Sequence, residues 1–227
     1  MQVINMVRES FLDAEEMKID PEWKSKVPEG EQGDCKIQKF SINRDEAKKH
    51  NVRCLIHGMS SDHFIHPGDY TRLMIDGDTM MSDTQKEYMD HLELFGLCGS
   101  NVLIIGLGLG CAATVIASKP YVKKVTIIEI NQNVIDLVGP TLMQRFGDKV
   151  EIICADGFEW KAPKGVRYSA VWFDIWLTIS DENLPGMAKL RRKFARRCNW
   201  TGCWVEDECR WMDKVVKEMK AKGLIDD

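Results

Sequence analysis

Apolar residues are spaced differently in the two halves of this chain. From residue 101 onward, short runs of consecutive apolar residues alternate with longer stretches in which apolar residues recur every three or four positions. The first pattern is typical of buried strands and the second of amphipathic helices. Strands that are apolar on both faces and separated by helices predict a parallel sheet covered on both sides.

The pattern also sets approximate bounds for nine elements in this half. The predicted strands are Asn101–Ile105, Lys124–Ile130, Val150–Cys154, Ala170–Asp174 and Gly202–Val205. The predicted helices are Cys111–Ser118, Gln132–Phe146, Pro185–Arg197 and Trp211–Lys222. The regular alternation of the two types makes this half an α/β domain.

The half that precedes residue 101 is less regular. Cys35–Ile42 alternates weakly and predicts an edge strand, while Arg44–His50 predicts one or two helical turns. YTRLMIDG followed by DTMMSD predicts a hairpin with an Asp-Gly turn. Gln85–Cys98 predicts a single helix closed by Gly99. We therefore expect a small β-rich domain at residues 1–84 and an α/β domain at residues 85–227.

Composition and charge narrow the class of protein. The 227 residues are 44% hydrophobic and 29% charged, which excludes a largely disordered chain, and the net charge of -4 argues against a globally cationic nucleic-acid binder. The longest uncharged stretch, residues 101–118, is too short to span a membrane. The N-terminus has no apolar run typical of a signal peptide, and the eight cysteines form no C-x-x-C pair. A cytoplasmic protein without a membrane partner is expected.

Polar or glycine residues follow four successive predicted strands. GLGLG follows the first strand, Glu129 ends the second 23 residues after Gly106, Asp156-Gly157 follows the third, and Asp174 ends the fourth. Ligands of such sheets bind beyond the carboxyl ends of the strands. Glycines let the backbone approach a ligand, and an acidic residue about 20 residues further on can bind ribose hydroxyls. The four positions together predict a nucleoside site, although a tight turn without a ligand would also explain the glycines.

The spacing of the glycines distinguishes between cofactors. A dinucleotide loop reads G-x-G-x-x-G, or alanine in the last place, whereas this loop reads G-x-G-x-G with Cys111 in that place. The shorter form, with acidic residues after the second and third strands, favours a nucleoside without a pyrophosphate. S-adenosylmethionine is such a nucleoside.

Residues from about Tyr70 to Trp176 resemble the spermidine-synthase-like branch of the class I S-adenosylmethionine-dependent transferases. The resemblance runs through LMIDG, HLEL, NVLIIGLGLG, KKVTIIEIN, KVEIICADGFEW and YSAVWFDIW, in the order of that family. It implies a Rossmann-like, mostly parallel sheet of the class I methyltransferase type, shortened at its C-terminus, with a small N-terminal β-rich domain.

The same resemblance implies roles for individual residues. Glu129 would bind the ribose, Asp156 the adenine amino group, and Asp174 would orient or deprotonate the acceptor as the catalytic residue. The implied cofactor-binding set is Met80, Gly106, Leu107, Gly108, Glu129, Ile130, Asp156, Gly157 and Asp174. No metal is expected.

The chain departs from that family where a polyamine would bind. Leu109 stands in place of an aspartate, Met80 in place of a glutamine, and Ile175-Trp176-Leu177 in place of a second aspartate and a proline. A polyamine site needs several carboxylates to offset the desolvation of its ammonium groups. The resemblance therefore supports cofactor binding more than aminopropyl transfer.

Three functions remain after these departures. The leading hypothesis is a methyltransferase that acts on a small-molecule acceptor. The alternatives are an aminopropyltransferase that uses decarboxylated S-adenosylmethionine, with Asp78 or Asp83 as polyamine contacts, and a non-catalytic cofactor-binding protein. A homo-oligomer is compatible with each of them.

For four further features of the sequence, a structural interpretation is mostly favoured over a functional one. His63 and His66 favour a surface loop over a metal site, and the six basic residues of Lys189–Arg197 favour a solvated helix face over a nucleic-acid surface. His91 is equally compatible with facing the cofactor and with a helix surface. Trp172 is expected in the core, and Trp176 could line a pocket for a planar or apolar acceptor.

Overall fold

A computed structural model describes residues 19–59 and 63–224, which form two β-sheets with their helices. The first sheet is antiparallel, with the order β1-β2-β3-β4. Its strands are β1 (Gly30–Gln32), β2 (Cys35–Ile42), β3 (Gly68–Ile75) and β4 (Asp78–Ser82). The prediction of a strand at β2 is confirmed, but its placement at the sheet edge is wrong, because β2 pairs with both β1 and β3.

Helix α1 (Arg44–Ile56) is nearly twice as long as the sequence pattern predicts. A capping box starts it: the Asn43 side chain accepts from the backbone N–H of Glu46, whose own side chain accepts from the backbone N–H of Asn43. The apolar pattern underestimates this helix because only Ala47, Asn51 and Cys54 are buried.

The predicted β3–β4 hairpin is confirmed, and a bulge in it points two methionines the same way. Asp76 and Gly77 both have positive φ, as a tight Asp-Gly turn requires. Met81 pairs with Leu73 and Thr79 with Met74, so Met80 is the extra residue of a bulge. The division proposed at residue 84 falls between this hairpin and the next helix and remains a prediction.

The second sheet is fully parallel, with the order β7-β6-β5-β8-β9. Two short helices, α2 (Gln85–Asp90) and α3 (Leu92–Leu97), precede it. Its strands are β5 (Asn101–Ile105), β6 (Lys124–Glu129), β7 (Val150–Cys154), β8 (Tyr168–Phe173) and β9 (Cys198–Cys203). Its helices are α4 (Cys111–Ser118), α5 (Gln132–Phe146), α6 (Leu184–Phe194) and α7 (Glu206–Ala221). The predicted α/β class is confirmed, and the strand order reverses between β5 and β8.

Two further boundary errors lie at the C-terminal end. β9 begins at Cys198 rather than Gly202, and α7 begins at Glu206 rather than Trp211. β9 is a sheet edge and includes the exposed Asn199, so it lacks the continuous apolar run of a central strand. The first turn of α7 is acidic, which suits a helix N-terminus but carries no apolar periodicity.

Two apolar clusters cover the two faces of the parallel sheet. Val102 and Ile104 of β5 point into one cluster, while Leu103 and Ile105 point into the other. The first cluster also contains Leu73 of β3, so the antiparallel sheet shares a core with the parallel one. Within the described residues, no helix has the length and apolar character needed to cross a membrane.

Candidate active site

A cleft of about 690 Å³ lies between the carboxyl ends of the parallel strands and the β3–β4 hairpin. The hairpin contributes Asp76, Asp78, Met80 and Met81 to its wall, and α2 contributes Glu87. The loops after β5, β6, β7, β8 and β9 supply most of the remaining wall. The cleft therefore lies across the point where strand order reverses, as expected for ligand sites of such sheets.

Eight of the nine residues predicted to bind the cofactor line this cleft. They are Met80, Gly106, Gly108, Glu129, Ile130, Asp156, Gly157 and Asp174. The ninth, Leu107, is buried, and its backbone N–H donates to Glu129 Oε2 at 2.8 Å. The structure brings these residues together, and their roles in binding remain predictions.

The glycine loop needs its first glycine for two reasons. Gly106 has a φ of 108°, in the region that favours glycine. A Cβ built at this position would lie 1.9 Å from the backbone oxygen of Asp174. The ends of β5 and β8 can approach this closely only because residue 106 has no side chain.

Most backbone N–H groups of the loop already have partners within the protein. Those of Gly106 and Gly110 donate to backbone carbonyls, that of Leu107 donates to Glu129, and that of Leu109 donates to the Met81 sulfur at 3.0 Å. A pyrophosphate site depends on free N–H groups at such a loop. The geometry therefore agrees with the prediction of a nucleoside without a pyrophosphate.

Leu109 does not present its side chain to the cleft. The side chain is 2% exposed and packs in the core. The apolar residue that replaces the aspartate of the resembling family thus has a structural role in this chain. The cleft surface at this point is backbone and Met81 rather than a carboxylate.

Glu129 and Asp156 are held in place by backbone donors. Glu129 accepts from Leu107 with one oxygen and from the backbone N–H of Asn131 with the other, each at 2.8 Å. Asp156 Oδ1 accepts from the backbone N–H of Phe158 at 2.7 Å. Each carboxylate oxygen has two lone pairs, so both side chains keep acceptor capacity for a ligand.

Lys193 of α6 holds the loop that follows β7 through hydrogen bonds to its backbone, and sequence reasoning missed this role. Its ammonium donates to the carbonyls of Gly157 and Phe158, at 3.0 and 2.7 Å. Partial burial lowers the pKa of Lys193, although Glu159 and Asp156 oppose that shift. In the sequence, Lys193 is one of the six basic residues among the nine at positions 189–197, and nothing in that stretch distinguishes its role from that of its neighbours.

His91 is the residue that the sequence leaves undecided between facing the cofactor and lying on a helix surface, and the structure excludes the helix surface. It is 1% exposed, and its Nε2 lies 2.9 Å from Asp174 Oδ2. Its Nδ1–H donates to the carbonyl of Glu87 at 2.7 Å. The helix predicted over residues 85–98 breaks here, because the His91 backbone N–H bonds to Tyr88 and leaves the Glu87 carbonyl to the ring.

The charges around His91 favour its protonated form. Burial alone would lower the pKa of His91, but the hydrogen bond and negative charge of Asp174, with the Glu87 carbonyl, outweigh it and raise that pKa above its usual value. Trp23, Phe95 and Trp172 pack around the ring and exclude water from it. Asp174 and His91 thus form a pair in which the imidazolium donates to the carboxylate.

Glu87 is a third ionisable group at this end of the cleft. Burial and the nearby Asp174 charge raise its pKa to about 7, although His91 and the backbone N–H of Ser82 oppose the shift. Asp90 adds to the increase. Sequence reasoning missed Glu87, because its position on a short helix gives no indication that it faces the ligand side.

The structure also places the other residues that the sequence analysis singles out. Trp172 is buried as expected, and Trp176 lines the cleft beyond Asp174. The basic stretch 189–197 lies only partly on α6, which ends at Phe194, and Arg191 in it pairs with the buried Glu206. His63 is half-buried and His66 exposed, in the segment before β3.

Comparisons with known proteins return solved structures only. No protein-family model and no curated protein matches the sequence. The chain is similar to the CcbJ methyltransferase from Streptomyces caelestis at 20% identity and a TM-score of 0.37, covering 46% of this chain and 43% of that one. It is also similar to a protein-L-isoaspartate O-methyltransferase at 16% identity and a TM-score of 0.39, covering 54% and 36%.

A third similar structure contains a bound ligand. The N-terminal domain of EvdMO1 with SAH bound is 17% identical, with a TM-score of 0.37 and coverage of 46% and 43%. The chain thus spans less than half the length of each of these three structures. The function is therefore inferred from the cleft itself.

Proposed function

We propose that the protein is an S-adenosylmethionine-dependent methyltransferase that acts on a small-molecule acceptor. One observation carries the proposal: Glu129, tied to the glycine loop, and Asp174, paired with the buried His91, line the same cleft across the reversal of strand order. A cleft of about 690 Å³ has the size of a small-molecule site.

The half of the cleft over β6 and β7 fits the adenosine part of the cofactor. Glu129 would accept hydrogen bonds from the two ribose hydroxyls, and Asp156 would accept from the adenine amino group. Gly106, Gly108 and Gly157 would let the nucleoside lie close to the backbone. Met80 of the hairpin and Ile130 after β6, which also line the cleft, would supply apolar contacts to the base.

The cofactor supplies an electrophilic methyl group on a sulfonium centre. The protein would contribute alignment, exclusion of water and a proton acceptor. Asp174 is the group in position to hold the acceptor and receive its proton. The hydrogen bond from His91 would fix the carboxylate orientation, leaving the other oxygen directed to the acceptor.

Binding of the cofactor by Glu129 is directly testable. Glu129→Ala should weaken S-adenosylmethionine binding by about 1–3 kcal/mol, or about 5–150-fold, because charge-assisted hydrogen bonds to the ribose are lost. Isothermal titration calorimetry of both proteins gives the two dissociation constants. Glu151→Ala, at an exposed position on β7, is the matched control and should bind as wild type.

Unchanged affinity in folded Glu129→Ala would remove Glu129 from the cofactor site. Decarboxylated S-adenosylmethionine with putrescine, assayed in parallel, separates methyl from aminopropyl transfer. Efficient spermidine formation by the wild type would replace our proposal with the aminopropyltransferase, for which Asp78 in the cleft wall would be a polyamine contact. Asp83, the other acid that the sequence offered for this role, is buried away from the cleft lining and accepts from the backbone N–H groups of Ser25 and Thr71.

A further inference from the structure

The two ends of the cleft differ in chemistry along the strand order. Over β6 and β7, the wall presents the carboxylates of Glu129 and Asp156. Over β8 and β9, the side chains beyond Asp174 are aromatic or aliphatic: Ile175, Trp176, Leu177 and Trp204. The cofactor proposed above accounts for the first end and leaves the second for the acceptor.

Two aromatic side chains of the cleft wall lie against the start of α6. A Cβ built at Gly186 of α6 would lie 3.5 Å from Phe158 Cζ and 3.7 Å from Trp176 Nε1, so both rings pack close to this glycine. Both residues line the cleft, and Leu177 next to them is 69% exposed at its rim. A flat apolar ligand would cover this surface and exclude water from it.

Trp204 borders Asp174 on the other side. Its backbone N–H donates to the Phe173 carbonyl at 2.9 Å, which places it at the end of the strand adjacent to Asp174. Its indole Nε1 is buried and has no hydrogen-bond partner among residues 19–59 and 63–224. A buried donor without a partner is costly, and a ligand oxygen is one group that could satisfy it.

The charges at this end suit an uncharged acceptor. Asp174 already pairs with His91, so the carboxylate does not need a cationic ligand to neutralise it. An ammonium group at Asp174 would lie among the apolar side chains of Ile175, Trp176 and Trp204. Glu87, a further carboxyl group near Asp174, has a raised pKa and so offers such a cation less negative charge. A hydroxyl needs only one proton acceptor, and Asp174 supplies it.

We propose that the acceptor is a planar, uncharged aromatic molecule that stacks against Trp176 and directs a ring hydroxyl to Asp174. This inference rests on the function proposed above. In the transfer, a bond forms between the hydroxyl oxygen and the methyl carbon, and the carbon–sulfur bond breaks with its electron pair going to sulfur. The hydroxyl proton passes to the Asp174 carboxylate and then to solvent.

The test uses 2-naphthol as the probe in the presence of S-adenosylhomocysteine. Fluorescence titration should show that wild type binds 2-naphthol about tenfold more tightly than decahydro-2-naphthol, a saturated alcohol of similar size, or 1,4-diaminobutane. Trp176→Ala should weaken 2-naphthol binding about tenfold, whereas Trp176→Phe, which keeps a ring, should change it by less than about threefold. Mass spectrometry should find 2-methoxynaphthalene after incubation with S-adenosylmethionine.

Whether S-adenosylmethionine binds distinguishes a failure of the proposed function from a failure of the proposed aromatic acceptor. If S-adenosylmethionine does not bind wild type, the proposed function fails. If it binds but 2-naphthol binds no better than the saturated alcohol or the diamine, only the aromatic acceptor is overturned. The aromatic acceptor is also overturned if folded Trp176→Ala binds 2-naphthol as tightly as wild type does. If Trp176→Ala does not fold, the comparison of the three ligands on wild type tests the aromatic acceptor instead.

Discussion

Replacing Asp174 with asparagine should reduce methyl transfer by about 10²–10⁴-fold, the range typical of a lost general base. Asparagine has nearly the same shape but cannot accept the proton of the acceptor, and its amide cannot form the charged pair with His91. Affinity for S-adenosylmethionine should stay within a few-fold of wild type, because Asp174 would act mainly in the transition state. Turnover of labelled methyl and calorimetry measure the two effects separately.

The matched control for this variant is Asp148→Asn. Asp148 is an exposed residue just before β7, at the opposite end of the sheet from the cleft. Its turnover should equal that of wild type. A folded Asp174→Asn protein that retains full turnover would show that Asp174 does not receive the proton.

Glu87 should make the free energy of unfolding decrease as the pH rises. Its pKa is about 7 in the folded protein against an ordinary value of 4.5, so the folded state binds the proton more tightly than the unfolded state. The resulting stabilisation is complete below about pH 4.5 and is lost as the pH rises through about 7. A shift of this size corresponds to roughly 3 kcal/mol.

Urea unfolding of wild type and Glu87→Gln between pH 5 and 8 measures this dependence. Glutamine stays neutral, so the variant should gain stability relative to wild type as the pH rises. Glu93→Gln, at an exposed position on the adjoining helix α3, should keep the wild-type profile. Parallel profiles for wild type and Glu87→Gln would show that Glu87 titrates normally.

The sequence predicts the parallel sheet well because its signal is local. Each central strand is a continuous apolar run, and β5, β7, α4 and α5 have the predicted bounds. The residues at the strand ends follow from the same logic, since the carboxyl ends of parallel strands share one edge. The positions of Glu129, Asp156 and Asp174 at the ends of predicted strands were therefore enough to predict that they lie in one cleft.

Long-range contacts account for what the sequence does not predict. His91 is read as part of one helix because nothing local shows that its ring reaches Asp174, 83 residues away. Lys193 looks like its basic neighbours, and only the fold places it under the loop after β7. Edge elements such as β9 and the start of α7 lack a strong apolar pattern, so their bounds depend on packing.

Because the β3–β4 hairpin contacts the glycine loop, a ligand bound in the cleft should stabilise the contact between the two sheets. Met81 reaches across to the backbone N–H of Leu109, and the hairpin supplies one wall of the cleft. A molecule that touches both walls binds only when they are together, and by thermodynamic reciprocity it must hold them together by the same free energy. Saturating the cleft should therefore slow hydrogen exchange at the β3–β4 amides, even at those that no ligand atom touches.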